Sequence, residues 1–80
     1  MPSLPVFHVD ISVGDSLAED LEGVEFPNLE VAEAHCIAGL VAVAKSLLTA
    51  HTRQRITTIL RDEARNRLLE RTLTVTCELR

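Results

Sequence analysis

The groups in this 80-residue chain best suited to chemistry are three histidines, two cysteines and a run of carboxylates. His8, His35 and His51 carry imidazoles that titrate near neutrality, the range used by general bases and metal ligands. None stands in an H-E-x-x-H or H-x-H pattern, and Cys36 and Cys77 form no C-x-x-C pair, so the spacings of zinc sites are missing. His35 and Cys36 are neighbours in a helical stretch, where adjacent side chains diverge by about 100°. What is left for nucleophilic chemistry is a pair assembled across the fold, such as His8 with Cys77 on neighbouring strands. The plainer reading is a surface histidine and two small buried thiols.

Asp20, Glu22, Glu25, Glu30 and Glu33 are dense enough to suggest a cation cluster, but they lack the D-x-D-x-D-G alternation of oxygen ligands. Three of them have local explanations, in a turn and at the start of a helix. Ser12, Ser16 and Ser46 sit in no nucleophile elbow, and three glycines make no phosphate-cradling loop. The expectation is a protein that is not an enzyme and needs no metal or cofactor.

Charge is divided along the chain. Residues 1–35 hold eight carboxylates and no lysine or arginine, a charge of −8, and the rest holds eight basic against four acidic residues, +4, which together give the net −4. Arg53, Arg55, Arg61, Arg65, Arg67 and Arg71 would line one hairpin, a surface that phosphates could use. The competing reading folds the two halves together so that they neutralise one another across a sheet or between subunits. Overall acidity argues against nucleic acid as a partner, and so does an aromatic content limited to Phe7 and Phe26, too few to stack bases. Arg55, Arg61, Arg65, Arg67 and Arg71 are kept as candidate partner-binding residues.

Positioning these groups falls to one small domain spanning residues 1–80. At this length a single apolar core is barely sufficient, and oligomerisation often adds the missing burial. The longest apolar run, Cys36 to Ala44, is broken by Gly39 and too short to span a bilayer, and no signal-peptide pattern opens the chain, so a cytoplasmic location is expected.

In PVFHVDISV, Phe7, Val9, Ile11 and Val13 alternate with Val6, His8, Asp10 and Ser12, the period of a half-buried strand over 5–13. Asp20 to Gly23 fits a type I turn, and a short strand resumes over 23–26. Pro27 ends it, Asn28 caps a helix, and Glu30 and Glu33 meet the positive end of the helix dipole. The apolar spacing then becomes helical over 29–50. Leu29, Ala32, Cys36, Leu40, Val43 and Leu47 make one stripe, and Ile37, Val41, Ala44 and Leu48 a second, wider than a small sheet can cover. Self-association as a symmetric dimer is therefore expected. Strands over 55–61 and 67–79, turning near Asp62 to Asn66, close an α+β domain of ββαββ order, one long helix packed on a small antiparallel sheet. Asp20, Gly23, Pro27 and Asn28 are read as architectural.

With Phe7-His8-Val9, the Asp20-to-Gly23 turn and the Glu25-to-Glu30 lead into the helix in place, the chain resembles a family of small bacterial proteins of unknown function. That family has an F-H-V first strand, a D-x-E-G turn and an E-x-P-x-L-E helix start. The resemblance implies the fold and no catalytic residues. More distantly, Pro27, Leu29, Glu30 and the helix are similar to the amino-terminal module of HicB-type antitoxins, which bind a small ribonuclease toxin. The expected role is a non-catalytic binding or assembly module with an unidentified protein partner. The alternative is a nucleic-acid-associated or antitoxin-like regulator using the arginine hairpin.

Overall fold

Alternating apolar side chains make the first strand, and the computed structural model, which describes residues 4–48 and 53–77, shows how they are used. β1 (Val6–Val13) runs antiparallel to β4 (Arg53–Asp62), with Phe7, Val9, Ile11 and Val13 opposite Asp62, Leu60, Thr58 and Ile56. β4 in turn pairs with β5 (Arg67–Thr76), with a register shift at Leu60/Arg61. The outer edge of β1 is shared by two fragments. β2 (Ser16–Ala18) takes Ile11 to Val13, and β3 (Val24–Glu25) takes Val6 and Phe7. The five strands form one sheet with β5 at its free edge.

One helix, α1 (Leu29–Leu47), packs across a single face of this sheet, an α+β architecture in which β2 adds a third strand ahead of the helix to the expected ββαββ order. Asn28 starts it: its backbone is extended and its side chain accepts the Val31 amide at 2.9 Å, satisfying one of the orphan donors of the first turn. At the other end Leu48 is the C-cap and donates its amide to the Lys45 carbonyl. The Leu48 carbonyl accepts from the Cys77 thiol at 3.2 Å, tying the helix end to the end of β5. The predicted helix limit at residue 50 and strand limit at residue 79 lie outside the described residues. β2 was not expected from the sequence.

The core is built in two clusters. Phe7, Phe26, Ala32, Cys36 and Leu60 form one, and Leu40, Ile56 and Val75 the other. Thr58, fully buried, stands between Ile56 and Leu60 in the helix-facing row of β4.

Contacts fix how α1 lies. Gly39 comes against Ile11 and the His35 ring sits 5.1 Å from that of Phe26, which sets one flank over β1. Glu33 pairs with Arg71 of β5 at 3.2 Å, which sets the other flank over the free edge. Ile37 and Val41 follow Glu33 at four-residue steps on that second flank, and each stays 45 % exposed. Leu48, at 59 %, and Leu73 of β5, at 39 %, are exposed as well.

Candidate functional site

The most connected polar cluster lies on the sheet face that α1 leaves open. Between the segments covered by β2 and β3, the Val9 amide has no strand to donate to, and the Asp20 carboxylate takes that place, Oδ2 accepting at 3.1 Å. Its other oxygen, Oδ1, accepts the Gly23 amide at 2.9 Å. The Asp20 carbonyl is taken by His8 Nδ1 at 2.9 Å, which requires Nδ1 to carry a proton. The expected type I turn is therefore closed by the carboxylate and not by the Asp20 carbonyl. Gly23 has φ +82°, and a Cβ there would fall 2.5 Å from Val6 and about 3 Å from the His8 ring. Backbone conformation and space both demand glycine.

Asp10 binds this loop to the sheet. Its Oδ1 accepts the Asp20 amide at 2.9 Å, and Arg61 grips it with Nε to Oδ2 at 2.8 Å and Nη2 to Oδ1 at 3.1 Å. Glu19 lies 3.8 Å from Arg61 Nη2. Burial alone would push the Asp10 carboxyl up, but the Arg61 and Asp20 hydrogen bonds, with the charges of Arg61 and His8, outweigh it and hold the group below the usual carboxylate range. Asp20 is likewise held low, the Gly23 and Val9 amides overcoming the effect of burial. Arg61 is raised, chiefly by its bond to Asp10.

Beside the cluster is a cleft of ≈ 100 Å³ lined by His8, Glu19, Asp20, Arg61, Glu63 and Arg65, among others. Arg61 and Asp20 already bind within it, so its strongest donor and acceptor are committed to holding the loop. Among the described residues no cluster of histidine, cysteine and carboxylate groups is arranged to hold a metal ion.

The candidate arginines divide over two faces and two ends of the hairpin. Arg61 and Arg65 share the cleft, and Arg67 stands opposite Arg61 in the β4–β5 register. Arg55 lies six residues back along β4, about 20 Å away at strand rise. Arg71 is on the helix side, paired with Glu33. The three ion pairs among the described residues each join an acid of the first 35 positions to an arginine of the second half. Asp62 and Asn66 close the hairpin, with the Asn66 amide donating to Asp62 Oδ1 at 2.9 Å and Arg65 in the left-handed region at φ +67°. Hydrogen bonds from the Asn66 side chain and amide hold the Asp62 carboxyl low.

Of the remaining reactive groups, Cys36 is sealed in the core. Burial raises its pKa, the Thr58 hydroxyl partly offsets the rise, and the charge of Glu33 adds to it. That thiol is a weak partner, and Thr58 Oγ1 makes no full hydrogen bond. The His8–Cys77 pair does not form: β4 separates their strands, and His8 lies opposite Arg61 at the hairpin end of the sheet while Cys77 bonds Leu48 near the helix C-terminus. His51 lies outside the described residues. Pro27 and Asn28 stand at the junction of β3 and α1, where the Phe26 amide makes the last ladder-like bond, to the Pro5 carbonyl at 3.1 Å.

Asp10 is the member of the cluster that sequence reading passed over. The available signal was an aspartate in mid-strand, where that residue is depleted.

Residues 6–74 match the family described as a domain of unknown function, DUF6894, and the chain belongs to it. No curated protein and no solved structure matches.

Proposed function

We propose that this member of the DUF6894 family is a non-catalytic binding or assembly module of the cytoplasm that works as a homodimer and takes an unidentified protein partner. The observation that carries this reading is the distribution of apolar side chains. Among the described residues eight hydrophobic residues are buried, whereas eleven large ones remain at least 39 % exposed, among them Ile37, Val41, Leu48 and Leu73 on one side of the molecule. Exposed apolar side chains grouped on one side are the mark of an interaction surface, where single scattered ones are ordinary. The polar cluster, by contrast, uses its charges internally. Arg61 is only 12 % exposed and bonded to Asp10, so the groups best placed for acid–base or phosphate chemistry are occupied in holding a loop.

A regulator that binds nucleic acid, or an antitoxin-like protein, is the second reading. It is favoured by Arg55, Arg65 and Arg67, which make no ion pair among the described residues. Sedimentation equilibrium across a concentration series, together with a tagged pull-down analysed for protein and nucleic acid, separates the two. The assembly reading expects twice the 8.8 kDa chain mass and no retained nucleic acid. A monomer that retains nucleic acid, with affinity falling steeply as salt rises, would replace it with the second reading.

A further inference from the structure

The free edge of β5 and the uncovered flank of α1 lie on the same side of the molecule, and we infer that a second copy of this chain pairs along β5, its strand antiparallel, to make one continuous sheet with both helices on the same face. This rests on the assembly reading above and names its interface.

β5 is ten residues long and borders no strand on its outer side among the described residues. An edge of that length exposes a row of amides and carbonyls and pairs readily with another chain unless it is blunted by charge, proline or a bulge. The one irregularity here, at Leu60/Arg61, leaves the stretch from Glu70 to Thr76 in unbroken register with β4.

Symmetry and side-chain type narrow the register. Directly opposed residues in an antiparallel pair point to the same side, so keeping both helices on one face requires a residue to meet its own copy or one an even number of positions away. Centring on Glu70 would oppose two carboxylates, and centring on Arg71 two guanidiniums, each unfavourable. Centring on Leu73 opposes leucine to leucine. It also places Arg71 against the second copy's Val75, Glu70 against its Thr76 and Thr72 against its Thr74. Leu73 faces the helix side, opposite buried Ile56, and is itself 39 % exposed, an apolar side chain lacking the neighbour this register supplies.

The flank of α1 completes the contact. Strand pairing alone falls short of the roughly 1,000 Å² that a stable interface needs. Because α1 runs alongside β5, with Glu33 near Arg71 and Leu48 near Cys77, the two-fold axis at Leu73 brings Ile37 and Val41 of each copy toward those of the other.

Sedimentation velocity and oxidative cross-linking test this placement. Leu73→Lys sets two ammonium groups against one another at the axis and should weaken the dimer by about a hundredfold or more. Leu17→Lys, on the exposed β2 at the far side of the sheet, should leave it intact. In a Cys77→Ser background, Leu73→Cys should cross-link to its own copy under mild oxidation, since opposed Cα atoms about 4.5–5.5 Å apart suit a disulfide. Leu17→Cys should not cross-link. Should Leu73→Lys fail to fold, the cross-link decides. A wild-type dimer that resists Leu73→Lys and gives no Leu73→Cys cross-link overturns the β5 interface while the assembly reading stands. A wild-type monomer at high concentration removes both.

Discussion

Asp10 and Asp20, two carboxylates on one sheet face, are joined by a hydrogen bond, the Asp20 amide donating to Asp10 Oδ1 at 2.9 Å. The pairing works because Arg61 neutralises Asp10 from the other side while the carboxylate of Asp20 is turned away, toward the amides of Val9 and Gly23. Asp20→Ala strands both amides at once. It should lower stability by about 2 kcal/mol or more in denaturant unfolding. Were Asp20 an ordinary surface acid, the loss would stay below about 0.5 kcal/mol.

Acid should undo the same arrangement. Asp10 and Asp20, and Asp62 in the hairpin, all have folded-state pKa values below their ordinary ones. A depressed carboxyl contributes stability that is present above the unfolded value, about 4, and is lost as pH falls through the folded value. Urea midpoints measured from neutral pH downward should therefore hold until about pH 5 and then drop. Asp10→Asn should start lower at neutral pH and show a shallower fall, because one titrating group is gone. An unchanged slope would remove Asp10 from this account.

Geometry and charge separate in the segment from Asp20 to Asn28. Gly23→Val meets both the positive φ and the Val6 contact and should cost about 1 kcal/mol or more. Asn28→Ala removes the acceptor of the Val31 amide and should cost about 0.5–2 kcal/mol. Glu22→Gln and Glu25→Gln, at exposed positions, should change stability by less than about 0.5 kcal/mol. Equilibrium unfolding of the four variants checks this. Loss of partner binding in the glutamine variants, with stability kept in the other two, would make the segment a recognition site.

Two substitutions should stabilise the protein. Thr58→Val replaces a buried hydroxyl without a full hydrogen bond by a methyl of the same shape, a change expected to be neutral or favourable by about 1 kcal/mol. Gly39→Ala gains helix propensity, and its Cβ would sit 3.5 Å from Ile11, an ordinary contact, for about 0.5–1 kcal/mol. The thermal melt of Gly39→Ala should rise, and that of Thr58→Val should hold or rise. A fall for Gly39→Ala would mean that α1 lies closer to β1 than the contact implies.

Elements whose burial repeats with their own period were legible in the sequence. The alternation of Phe7, Val9, Ile11 and Val13 and the helical spacing of Ala32, Cys36 and Leu40 are direct imprints of one face packed against the core. β2 left no such imprint, because its residues are all exposed and it is held by backbone pairing to Ile11–Val13. The partner of Asp10 was illegible for a different reason: Arg61 is fifty-one positions away and is brought close by the β1–β4 register, which local pattern does not encode. The arginines were visible as residues but not as a surface, since the register shift at Leu60/Arg61 and the helix-side position of Arg71 scatter them.

The piecemeal cover of β1 also limits growth. Two- and three-residue fragments with an aspartate between them leave no continuous template on that side of the sheet, whereas β5 offers ten residues. A sheet with two long open edges can add copies without end and become a fibre. A sheet with one such edge saturates after a single addition, so in the dimer proposed above the loop that Asp20 pins to β1 would act as a chain terminator.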